Sequence, residues 1–228
     1  MRRLRGVAGG LALAALLGCT VAQSLLFSAV PDGTASILLG HVKGMEEGNR
    51  KQVAALEARK DWDGLVKLAR ENLDKDRNNS GWWIVAGYAH SQAGRHALAI
   101  ESYSEVVRLA PDDMQGWNLL AQAYRDAKQP ARAVQTLNNA LRVRQGTAET
   151  WFLLGESYSD LDRDLPAAAA YREAVQLDGG LARAWFGLGR AYARLGRRAE
   201  YDQALKSLER LDASLAKELA ELRPPSRN

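Results

Sequence analysis

Trp83, Trp117, Trp151 and Trp185 stand 34 residues apart, and each is followed at the same offsets by the same kinds of residue. After Trp117 come Leu120, Ala121 and Tyr124, then Ala133, Leu137 and Ala140; after Trp151 come Leu154, Gly155 and Tyr158, then Ala167, Tyr171 and Ala174. Trp83 leads to Ala86, Gly87, Gly94, Ala99, Tyr103 and Pro111, and Trp185 to Leu188, Gly189, Tyr192, Gly196, Leu205 and Leu208. A period of this length means a chain built of small units that bury their apolar faces only by stacking on one another. Offsets 0, 3, 4 and 7 from the tryptophan share one face of a first helix, and offsets 16, 20 and 23 share one face of a second. Small residues at offsets 4, 16 and 23 let the two backbones approach, while Trp, Tyr and Leu fill the volume between hairpins.

Turn chemistry agrees with this phasing. Gly94 and Gly196 fall where the first helix of a unit stops, and Pro130 and Pro166 where the second begins. The runs 110–113 and 178–180 suit short connections between units. Asp162 occupies the place of the glycine in the third unit, which predicts an altered turn there.

The repeated pattern resembles the tetratricopeptide repeat family over residues 80–215, with 46–79 as a degenerate first copy in which Asn49 takes the place of the tryptophan. The resemblance implies an all-α fold, a solenoid of helical hairpins over residues 46–223. It comprises four full repeats, the degenerate N-terminal repeat (helices over 46–59 and 62–73) and a C-terminal capping helix. Residues 198–222 read as one long leucine-bearing helix, with Leu211 onward covering the end of the stack. The last five residues, 224–228, cannot continue a helix and read as a disordered tail.

The N-terminus carries a different message. Arg2, Arg3 and Arg5 precede an uncharged apolar run over 6–18, which ends at Cys19, the only cysteine. This resembles a bacterial lipoprotein signal peptide: residues 1–18 would be removed, Cys19 lipidated, and 19–45 left as a tether, with a short apolar contact from Ile37, Leu38 and Leu39. Residues 6–30 hold no charge, so an uncleaved inner-membrane signal anchor is the second reading, and a secretory signal cut near Ala22 the third. In all three the basic start stays cytoplasmic and the repeats face the periplasm. An outer-membrane lipoprotein is the first expectation.

The basic isoelectric point belongs largely to that leader. Without residues 1–18 the 31 Lys and Arg become 28, against 27 Asp and Glu, a charge of +1 that argues against nucleic-acid binding. Three histidines, His41, His90 and His96, without a cysteine in the repeats make no zinc set. Asp160, Asp162 and Asp164 lack the glycine and glutamate of a calcium loop. Phosphate loops, nucleophile elbows and paired catalytic carboxylates are missing too, so the reading is a non-enzyme without metal or cofactor.

Binding is left. In the resembled family, offsets −2, 1, 5, 8 and 9 of each first helix turn into a concave groove. Here they implicate Tyr88, Ser91 and Gln92; Gln115, Asn118, Gln122, Arg125 and Asp126; Glu149, Phe152, Glu156 and Asp160; and Arg183, Phe186, Arg190 and Arg194. The groove is expected to grade from neutral through acidic to basic, with Phe152 and Phe186 either as apolar anchors or as packing between repeats. Arg183, Arg190 and Arg194 form either a basic stripe for an acidic peptide or partners for Glu149, Glu156 and Asp160. The family's clamp for a C-terminal carboxylate is not expected, because Gly81, Ile84, Tyr88 and Leu119 hold its positions. The function implied is an envelope-anchored scaffold binding proteins or peptides during assembly or maturation of the cell envelope. An accessory subunit of an envelope enzyme or polysaccharide system, or a soluble periplasmic chaperone, is the alternative.

Overall fold

The computed structural model describes residue 38 and residues 45–224. The signal segment, Cys19, nearly all of the tether and the tail 225–228 lie outside these residues.

Eleven helices run between Glu47 and Glu221. They pair as α1 (Glu47–Ala58) with α2 (Trp62–Leu73), α3 (Ser80–Gln92) with α4 (His96–Leu109), and α5 (Met114–Asp126) with α6 (Pro130–Val143). There follow α7 (Ala148–Ser159) with α8 (Asp164–Leu177), α9 (Ala182–Arg194) with α10 (Arg198–Leu211), and a single closing helix, α11 (Ala213–Glu221). The degenerate first copy is thus a complete hairpin. Leu38 is packed into its core with Val53 and Leu65, in keeping with the apolar contact expected from that stretch.

The repeat is written in the turns as well as in the helices. Lys60, Gly94, Lys128, Asp162 and Gly196, again 34 apart, all have left-handed backbones with φ between 55° and 71°. At each, the following amide donates to the carbonyl five residues back, as in Arg95 to His90 (2.8 Å) and Arg163 to Tyr158 (2.9 Å), which closes a Schellman turn. The altered turn expected at Asp162 is therefore absent: aspartate tolerates the left-handed well, and the turn keeps its form. The helix starts follow the same period. Asn79, Asp113 and Thr147 cap α3, α5 and α7 with side-chain oxygens, while Leu181, the equivalent residue before α9, makes no such bond. Pro130 opens α6 as expected, but Pro166 is the third residue of α8, still within the first turn, where amides lack helical acceptors.

Size complementarity sets the distance between the two helices of a unit. A Cβ on Gly87 would meet the Tyr103 ring at 2.5 Å, and one on Gly155 the Tyr171 ring at 2.6 Å. In the second full unit the same contact is made by Ala121 and Leu137, both fully buried. Tyr171 is gripped from both sides, since a Cβ on Gly187 of the next unit would also reach its ring at 2.6 Å. The signature tryptophans play a smaller part in the core than their regularity suggests. All four are half-buried. The indole N–H groups of Trp83, Trp117 and Trp185 donate to the carbonyls of Arg77, Pro111 and Gly179, tying each ring to the loop that enters its own unit (2.8–2.9 Å).

The C-terminal end departs from the expected single helix. At Asp212 the backbone is extended, and its carboxylate accepts from the amides of Ser214 and Leu215, so α10 ends and α11 starts anew across the end of the stack. Leu219, fully buried, fills the space over Gly189, where its side chain would meet an added Cβ at 2.4 Å. Tyr201, in place of the alanine used at that offset in the other units, donates its hydroxyl to the Leu219 carbonyl at 2.7 Å. Leu211 and Leu222 are exposed; the cover is made by Ala216 and Leu219.

Candidate functional site: the face of the first helices

Helix α5 packs on α7 and α7 on α9, whereas successive second helices make no comparable contact, so the first helices lie on the inside of the curve. Their side chains at offset 5 (Tyr88, Gln122, Glu156, Arg190) and offset 8 (Glu57, Ser91, Arg125, Ser159) form two neighbouring columns. Hydrogen bonds cross from offset 8 of one unit to offset 5 of the next, 31 residues on. Tyr88 donates to Glu57 (2.9 Å), Arg125 to Glu156 (3.1 Å) and Arg190 to Ser159 (3.3 Å).

Toward the C-terminal end this becomes a continuous network. Arg125 donates to Gln122 (3.2 Å) and pairs with both Glu156 (3.1 Å) and Asp160 (2.8 Å). The other oxygen of Glu156 receives the Tyr171 hydroxyl at 2.5 Å and Arg190 at 3.2 Å. Burial by itself would lower the pKa of Arg125, yet Asp160 and Glu156 outweigh it and hold the guanidinium above its ordinary value. Arg190 is raised in the same way against its own desolvation, by Tyr171 and Glu156. Burial, with Glu156 next, pushes the Tyr171 phenol well up, so it stays a donor.

The basic stripe is accordingly not free charge. Arg183 pairs with Glu149 at 2.9 Å and lies 4.7 Å over the Phe152 ring; Arg190 pairs with Glu156; Arg194 reaches Asp164 at 3.2 Å. Each of these three arginines meets a carboxylate of the preceding unit. Asp160, grouped with their partners on sequence, goes to Arg125 instead. Phe152 is a correction to the anchor reading: it is 4 % exposed, covered by Arg183 and packed against Tyr171, because the following unit closes over it. Phe186 has no full repeat after it and is half-buried, with Arg190 at 5.8 Å from its ring. Gln122 and Asn118 stand one turn apart on α5, Gln122 donating to Asp126 at 2.8 Å.

Sequence reasoning did not bring Glu57 and Tyr171 into this face. Complementary residues 31 or 34 apart, such as Arg125 with Glu156 or Glu149 with Arg183, are the signal that identifies the crossing contacts. Among the described residues no helix is long and apolar enough to cross a membrane.

The geometry defines a solenoid of helical hairpins whose first helices present one continuous polar face, the form of a protein-interaction scaffold. Models of the tetratricopeptide repeat match residues 55–114, 84–149, 118–182 and 182–214, and the chain belongs to that family. Among solved structures it is similar to MamA, at 23% identity over 74% of this chain and 92% of that one, with a TM-score of 0.62. A thermophilic repeat protein of Thermus thermophilus matches at 19% identity over 78% of this chain and 98% of that one (TM-score 0.59). YrrB, described as having an unusual peptide-binding site, matches at 16% identity over 82% and 99% (TM-score 0.59). These likenesses are of fold. No curated protein matches the chain significantly in sequence.

Proposed function

We propose that this protein is an envelope-anchored scaffold that holds a polypeptide along the face of its first helices during assembly or maturation of a cell-envelope complex. The observation that carries the binding half is the polar face itself, whose side chains come from consecutive units and suit an extended chain met by several modest contacts. The peptide-binding site ascribed to YrrB, which shares the fold, supports the same use of this one. The anchoring half rests on sequence: the basic start, the apolar run and Cys19 fit a lipidated periplasmic protein of the outer membrane. Lipid on Cys19 would hold the repeats at the membrane surface, each acyl methylene contributing about 0.8 kcal/mol.

Gentle cross-linking of membranes, purification, and identification of the attached proteins test both halves. The parent is expected to bring down envelope polypeptides, Gln122→Arg to lose them, and Cys19→Ser to lose lipid labelling and change its membrane partitioning. Adducts unaffected by Gln122→Arg would refute the face. Unchanged labelling and processing of Cys19→Ser would refute the anchor.

A further inference from the structure

The charge on the first-helix face is balanced at one end and unbalanced at the other. From Arg125 onward each cation has its carboxylate, as described above. Toward the N-terminal end two carboxylates stand without one. Glu57 takes only the Tyr88 hydroxyl, and Asp126 takes only the Gln122 amide; among the described residues neither forms an ion pair. Arg59 and Lys60 follow Glu57 just past the end of α1, and among the described residues neither pairs with it.

Buried side-chain atoms without a hydrogen-bond partner in this stretch include two acceptors, the second carboxylate oxygen of Glu57 and the side-chain carbonyl of Asn118, one turn before Gln122. They also include two donors, Nε and Nη2 of Arg95, whose guanidinium is already held by Asp63. At the other end Nε of Arg190 is unpartnered, on a guanidinium shared by Glu156, Ser159 and Tyr171. Aromatic surface completes the N-terminal stretch. The Tyr88 ring meets that of Trp62 edge-on at 6.0 Å, and both side chains are half-buried. A carboxylate beside an aromatic pair, with a second unpaired carboxylate on the following first helix, makes the surroundings a side-chain cation prefers. Two further effects agree. Desolvation raises the pKa of Glu57 despite the Tyr88 hydrogen bond, a penalty that an arriving cation would relieve. The buried Tyr103 is raised first by burial and then by Tyr88 and Asp126.

We infer that the part of the face around Tyr88 receives a lysine or arginine side chain of the bound polypeptide, with Glu57 and Asp126 supplying the charge, Tyr88 and Trp62 the aromatic surface, and Asn118 a further acceptor. This rests on the reading that the face binds polypeptide, and it reverses the preference for an acidic peptide that the arginines of α9 suggest in sequence. Those arginines are neutralised within the solenoid.

Immobilised degenerate nonapeptides with a central Lys, Arg, Gln or Glu, probed with the full chain in nonionic detergent, test it. The parent should retain Lys- and Arg-centred peptides about tenfold over Glu-centred ones at low salt, and less so at high salt. Glu57→Gln with Asp126→Asn, two near-isosteric changes, should bring the ratio close to one, while Asp126→Asn alone should show part of the loss. A preference for Glu-centred peptides, a Lys preference that survives both changes, or no retention of any peptide overturns the inference. If Gln122→Arg nevertheless releases an envelope polypeptide from the parent's adducts, the scaffold reading stands and only the cationic pocket falls; if it does not, both fall.

Discussion

Gly155→Ala should destabilise the third full unit, although an alanine in the middle of a helix is ordinarily a gain. The added Cβ would lie 2.6 Å from Cδ1 and Cε1 and 2.9 Å from Cγ of Tyr171, against 3.4–4 Å for an ordinary contact. The ring must therefore move by about 1 Å, and it has no room to do so. It is fully buried, and Gly187 closes its other side. With the ring held on both sides, overpacking costs the upper part of its usual range, roughly 2–3 kcal/mol, offset by about 1 kcal/mol of helix propensity, for a net loss near 1–2 kcal/mol. At this chain length that corresponds to a fall in Tm of roughly 2–8 °C. The second full unit shows the alternative packing, Ala121 with Leu137. Tyr171→Leu alone should cost roughly 2–4 kcal/mol through lost volume and the lost hydrogen bond to Glu156. Combined with Gly155→Ala it should cost about 1 kcal/mol or more less than the sum of the two single changes. Urea denaturation of the four species measures this coupling, with Gly48→Ala as the control, since nothing lies within 4 Å of a Cβ there. Additivity within about 0.5 kcal/mol, or a Gly155→Ala protein as stable as the parent, would refute the size-matching argument.

Lys60→Gly and Lys128→Gly should each stabilise by roughly 0.5–1 kcal/mol, because glycine relieves the left-handed backbone of those turns; destabilisation in the same urea assay would contradict the turn geometry. Tyr201→Phe should loosen the closing helix by about 1–2 kcal/mol by removing the donor from the buried Leu219 carbonyl, and unchanged hydrogen-exchange protection in α11 would count against that role. His90, at the offset held by Tyr124, Tyr158 and Tyr192, has its pKa lowered by burial, then by Arg95 and Arg70, with Glu101 and Asp63 opposing. The unfolded chain thus binds the proton more readily. The His90 contribution is whole above about pH 6.5, is lost as pH falls toward the lowered folded value, and is flat below it; a His90→Gln protein with the same stability difference from the parent at pH 7.5 and pH 5 would exclude it.

The central hairpins could be read from the sequence because the first three full units repeat the same steric problem: a small residue at offset 4 and a large one at offset 20. The cap could not, since Tyr201 and Leu219 carry no period and the leucines of 198–222 suit one helix as well as two; only Asp212, a strong N-cap residue, marked the break. The left-handed turns hid for a similar reason. Two use glycine, but Lys60, Lys128 and Asp162 reach the same φ without it, held by the helices on either side. On the first-helix face, offsets place the side chains correctly but leave open which partner each one takes. Arg190 faces inward to Glu156 and Tyr171, and Phe152 lies under Arg183, because the next unit supplies the covering groups.

The claim that the first-helix face is where a polypeptide is held meets its most direct test in living cells, by placing a photoreactive amino acid at Gln122, on that face, or at Arg142, an exposed residue on the second helix of the same unit. Irradiation should yield discrete polypeptide adducts from position 122 and none from position 142. Adducts from position 142 with none from position 122 would contradict the account.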